Sequence, residues 1–76
     1  MAILLDFRKV REDQQVVEYI FGDSGNLERR LVVEKESQQA RPLDGKADKD
    51  YTKIYLKILQ FYQREASWPE TGSYSA

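Results

Sequence analysis

A chain of 76 residues, 41% hydrophobic and 33% charged, has the balance of one small globular domain rather than of a disordered segment. It contains no cysteine and no histidine, which excludes disulfide staples and every nucleophilic arrangement built on Cys–His or Ser–His–Asp. Its net charge of −1, from 12 Lys+Arg against 13 Asp+Glu, lacks the basic excess on which a dedicated nucleic-acid binder relies.

The apolar run Met1–Leu5 is broken by Asp6, too early for a signal peptide, and no stretch approaches the roughly 20 residues of a membrane span. A cytoplasmic protein without a membrane partner is expected. Residues 3–10 read as the first strand and the polar segment 11–15 as its connection. Residues 16–21, rich in β-branched and aromatic side chains, form the second strand. Gly22-Asp23-Ser24-Gly25-Asn26 is a cluster of turn formers, and residues 30–36 form a third strand. Connections this short favour an antiparallel meander, because parallel strands need long crossovers.

Odd positions supply the apolar face: Ile3, Leu5 and Phe7, then Val17, Tyr19 and Phe21, then Leu31 and Val33. A hairpin pairing Val10 with Val16 sets Phe7 opposite Tyr19 and Arg8 opposite Glu18, both favourable neighbours. The even face is mixed, with Leu4, Val10, Val16, Ile20 and Val32 among Asp6, Arg8, Glu18, Arg30 and Glu34. A fully solvated face is normally more polar.

Residues 37–46, with Pro42 and Gly45, read as a loop leading to a helix over about residues 49–66, capped by Asp48 or Asp50. At helical spacing Tyr51, Ile54, Tyr55, Ile58, Leu59, Phe61, Tyr62 and Ala66 share one wide stripe, with Leu56 stranded on the polar side. Pro69 disfavours helix at Trp68, so 70–76 reads as a flexible tail beyond a single domain of residues 1–69. The expected fold is α+β: a two-layer βββα domain, a three-stranded antiparallel meander packed against one C-terminal amphipathic helix.

Little in the sequence points to chemistry, and no enzyme activity and no cofactor are expected. Glu18 and Glu34 lie on one face of neighbouring strands, where two carboxylates can share a proton, but Arg8 is at hand to hold one of them. Asp44, Asp48 and Asp50 crowd the loop before the helix, yet the glycine and the twelfth ligand of a calcium loop are misplaced, so no metal is expected. Gly45-Lys46-Ala47 lacks the hydroxyl and the upstream glycine of a phosphate loop. Nucleic acid is the alternative partner, through Arg8, Arg11, Arg29 and Arg30 on or beside the strands, although acidic residues are interleaved among them.

The expectation that best fits the residues is a small non-catalytic protein-interaction module, a homodimer or a partner of another protein. A core this small calls for a staple, and without cysteine or a metal site association is the one left. Leu4, Val10, Ile20, Val32 and Leu56 are the candidate contact residues, through the mixed sheet face or the unpaired edges of the outer strands. Trp68 joins them as a candidate anchor, or else packs the helix end onto the sheet. The 37–48 loop and the tail are the segments able to cover the second face instead.

Overall fold

Asp13 closes the first hairpin. Its carboxylate accepts hydrogen bonds from the backbone N–H groups of Gln15 and Val16, both at 2.8 Å, and its own N–H donates to the Val16 carbonyl. The structure, a computed structural model, describes residues 4–23 and 26–75. Residues 1–3, 24, 25 and 76 lie outside them, and with them Ile3 and the centre of the second expected turn.

The elements run β1 (Leu4–Glu12), β2 (Val16–Asp23), β3 (Asn26–Glu34), β4 (Ala40–Pro42), α1 (Lys49–Glu65) and β5 (Thr71–Ser75). The five strands form one antiparallel sheet in the order β4-β3-β2-β1-β5. The α+β class, the β1–β3 meander and the amphipathic helix follow the expectation; the sheet is wider by two strands. Segment 40–42, expected as loop, pairs with β3, and segment 71–75, expected as tail, pairs with β1.

The first register also differs. Phe7 stands opposite Phe21 and Arg8 opposite Ile20, two residues from the expected pairing, because the Asp13 turn closes the hairpin further along. A slip of two keeps every side chain on its face. Phe7 and Tyr19 still meet diagonally, edge to face at 5.5 Å between ring centroids. A bulge between Lys9 and Arg11 then takes up Val10 and gives Glu18 Arg11 as its opposite number.

α1 lies on the odd face. Leu5, Phe7, Val17, Tyr19, Phe21, Leu31 and Val33 are buried against Tyr51, Ile54, Ile58 and Trp68. Asp48 is the N-cap, accepting from the Tyr51 N–H at 3.1 Å, and Ala66 ends the helix in a left-handed conformation with its N–H on the Tyr62 carbonyl. The exit from the helix is fixed by aromatic groups. Trp68 stacks on Tyr62 with centroids 4.1 Å apart, and the Tyr19 hydroxyl donates to the Pro69 carbonyl at 2.7 Å. Burial pushes the Tyr19 hydroxyl pKa well above its ordinary value, so it stays a donor. The chain is thereby aimed back along β1, where it becomes β5.

Arg29 ties the helix start to the sheet. It lies over the Phe21 ring, bonds Asp44 at 2.8 Å and Asp48 at 3.0 Å, and donates to the Lys46 carbonyl at 2.9 Å. The guanidinium holds the Asp44 carboxyl below its usual range; the Tyr51 N–H and then Arg29 do the same for Asp48. Lys35 and Lys9 lower Glu12, and the Val16 and Gln15 N–H groups lower Asp13. These depressed values favour the charged carboxylates in the fold, so their contribution is full above about pH 5 and is lost as pH falls through the depressed values, below about pH 4. Thermal midpoints are expected to be level from neutral pH to about pH 5 and to drop below about pH 4. Arg29→Met should flatten part of that drop. A variant that follows the parent curve would remove Arg29 as its cause.

Candidate interaction surface

The face of the sheet opposite α1 carries the mixed set of residues, and the register arranges them in rows. Thr71, Arg8, Ile20 and Arg30 make one row across β5, β1, β2 and β3. Arg11, Glu18, Val32 and Arg41 make the next, across β1 to β4. Val16 pairs with Glu34 beyond them, and Ser73 with Asp6 on the other side. Four exposed arginines therefore share this face with the carboxylates of Asp6, Glu18 and Glu34.

Glu18 is the electrostatic centre of the face. Its side chain is only 13% exposed, and its two oxygens face Arg30 Nη1 at 3.1 Å and Arg11 Nε at 3.5 Å. An Arg–Glu–Arg bridge thus spans three strands. Asp6 accepts from the Ser73 hydroxyl at 2.7 Å. Among the described residues Arg8 and Arg41 make no ion pair. Between the strands, Val16 and Val32 floor a shallow depression of about 480 Å³ walled by Arg11, Arg41, Glu34 and Glu36.

Of the candidate contact residues, Leu4, Val10, Ile20 and Val32 belong to this side of the molecule. Leu4 is 43% and Val10 41% exposed, Ile20 is half-buried, and Val32 is buried, 7% exposed. Neither loop nor tail lies across them. The 37–48 segment joins the sheet edge through β4, and the tail joins the opposite edge as β5, so both extend the face. This also corrects the expected unpaired edges of β1 and β3, which β5 and β4 pair over residues 4–8 and 31–33.

Two other candidates lie elsewhere. Leu56, 57% exposed, is on α1 and not on this face, and Trp68 is buried against Tyr62 in the core, so it is no exposed anchor. Arg29 separates from Arg8, Arg11 and Arg30, because its odd position turns it to the helix side, where two aspartates engage it. Glu18 and Glu34 are not opposite one another: Glu18 is opposite Val32 and held by arginines, Glu34 is opposite Val16. The described residues contain no group of three Asp or Glu able to hold a metal ion.

Comparison with protein-family models, curated proteins and solved structures gives no match to this chain. No helix among the described residues is long and apolar enough to cross a membrane. Sequence reasoning missed Arg41, hidden in a segment with no strand period. The segment is only three residues long as a strand and contains Pro42, which argues against a strand in the sequence.

Proposed function

We propose that the chain is a non-catalytic protein-interaction module that self-associates through the helix-free face of its sheet. The observation that carries this reading is that exposed Leu4 and Val10, half-buried Ile20 and the depression above Val16 and the buried Val32 share one face, with no segment of the described chain across them. Apolar side chains rimmed by charge are the usual make-up of an association surface. The charges also suit a second copy. Four arginines stand beside the carboxylates of Asp6, Glu18, Glu34 and Glu36, so a two-fold axis through the sheet can set Arg8 or Arg41 of one copy against Glu34 of the other.

Solution mass by light scattering after gel filtration, over a range of protein concentrations, tests this directly. A dimer is expected, and Ile20→Lys is expected to convert it to a folded monomer, because the side chain is half-buried and outside the core. A monomeric parent, or a variant that stays dimeric, would remove this face as the interface.

A second reading, binding of nucleic acid, draws on Arg8, Arg11, Arg30 and Arg41 sharing one face. Against it stand Glu18 and Glu34 in the same rows, which repel phosphate. Every aromatic residue of the chain also packs in or against the core beneath, leaving no base-stacking platform on this face. Binding to mixed DNA at low salt that falls steeply as salt rises would favour it over self-association.

A further inference from the structure

The two outer strands of the sheet are guarded very differently. In antiparallel ladders alternate residues aim their backbone groups at one neighbour. The Leu43 N–H bonds the Arg30 carbonyl and the Glu34 N–H bonds the Gln39 carbonyl, so along β4 it is Ala40 and Pro42 that face outward. β4 is three residues long, and proline removes one of its free donors. β5 has no such protection. Its sequence Thr-Gly-Ser-Tyr-Ser has no charge and no proline, and its ladder with β1 has no bulge. The Lys9 N–H bonds the Glu70 carbonyl, which sets residues 70, 72 and 74 toward β1 and the backbone groups of Thr71 and Ser73 outward, where the sheet ends.

A groove of about 360 Å³ runs between that edge and α1. Leu56, Leu59 and Tyr74 give it an apolar floor, and Lys53 and Lys57 stand along the helix side. Lys53 lies 5.7 Å from the Tyr74 ring centroid and Lys57 5.6 Å from that of Phe61. Neither lysine is within ion-pair distance of a carboxylate among the described residues. The exposed Leu56, unexplained by the core or by the sheet face, belongs to this groove.

We propose that β5 and this groove dock an extended peptide segment of another protein, an apolar residue flanked by acidic ones, added to the sheet as a sixth strand. Strand addition supplies affinity through main-chain hydrogen bonds to Thr71 and Ser73, and pockets for alternate side chains supply specificity. Side chains at alternate positions enter the groove, so the apolar residue meets Leu56, Leu59 and Tyr74, and acidic residues two positions away on either side meet Lys53 and Lys57. The intervening residues lie beside the hydroxyls of Thr71 and Ser73. This site takes the edge and the helix side of β5; it shares only Thr71 and Ser73 with the helix-free face and does not depend on association through that face.

The test uses a fluorescein-labelled, end-capped peptide Thr-Glu-Thr-Ile-Thr-Glu, with a control in which both glutamates are lysine. Binding by anisotropy is expected, with amide shift changes in ¹H–¹⁵N spectra concentrated at residues 53–60 and 71–75. The lysine peptide, and the variant carrying Lys53→Glu and Lys57→Glu, should each bind about tenfold more weakly or worse. Ser73→Pro removes an outward N–H without touching the β1 ladder and should abolish binding while Trp68 fluorescence stays native. If that variant does not fold, the lysine pair carries the test. No binding of the acidic peptide, equal binding of both peptides, or shifts confined to the helix-free face would each overturn the proposal. So would a dimer that Ser73→Pro dissociates and the peptide does not, since the edge would then belong to a second copy.

Discussion

Truncating Phe7 to alanine is expected to cost the domain about 3–5 kcal/mol, the usual range for a buried phenylalanine. The ring sits where every layer meets. It is 1% exposed, packs edge-to-face on Tyr19 at 5.5 Å, and lies 6.4 Å from the Phe61 ring on the helix. It also covers Gly72 on the neighbouring β5. Removing it takes away the transfer term and leaves a cavity between two strands and the helix, which none of these elements can close alone. A domain of this length has a total stability of about 4–11 kcal/mol, so the loss is a large part of the whole. Urea unfolding followed through Trp68 should show a loss of unfolding free energy of that size, the midpoint change multiplied by the slope m. A loss below about 1 kcal/mol would mean that Phe7 is not at the centre of the core.

The helix was legible because its apolar stripe repeats over 17 residues, and Tyr51, Ile54 and Ile58 are its buried spine. The two faces of the sheet were legible from the alternation in β1, β2 and β3. The exact pairing was not, because a slip of two residues leaves that alternation intact, and only the Asp13 turn decides between registers. β4 and β5 were invisible for another reason. Ala-Arg-Pro and Thr-Gly-Ser-Tyr-Ser have no strand pattern of their own, and each is a strand only because a longer neighbour offers it a ladder.

The candidate surface divides the same way. Parity alone puts Leu4, Arg8, Ile20 and Val32 on one side of the sheet. It also puts Arg29 on the other side, a consequence that residue type obscured because Arg8, Arg11, Arg29 and Arg30 look alike in composition. Arg29 serves the helix N-terminus, where Asp44 and Asp48 need a cation. Trp68 shows the converse: a lone tryptophan after a helix attracts a binding role, yet Tyr62, six residues earlier, provides the surface on which it stacks. The groove beside β5 could not be read at all, since half of it is built by a strand without a sequence signature.

Gly72→Ala is expected to destabilise the domain by about 1–3 kcal/mol, the cost of overpacking a filled core, and to loosen β5 from β1. A methyl group there would lie 2.4 Å from Phe7 Cζ, 2.6 Å from Cε1 and 3.2 Å from a Phe61 ring carbon. The two rings are wedged against each other, so the contact is relieved most readily by moving the strand. The glycine is thus an empty position into which a cross-strand aromatic folds, a known way of holding an edge strand that has little to bury. Hydrogen exchange at the β1 amides bonded to β5 should accelerate more than exchange at those bonded to β2. The two substitutions should not add. With Phe7 already alanine the new methyl has room, so the double variant should be more stable than the sum of the single losses predicts, by about 1 kcal/mol or more. Additivity, or a Gly72→Ala variant with the parent's stability and exchange pattern, would mean that residues 71–75 are not docked on β1. The groove and the peptide site proposed there would then lose their floor.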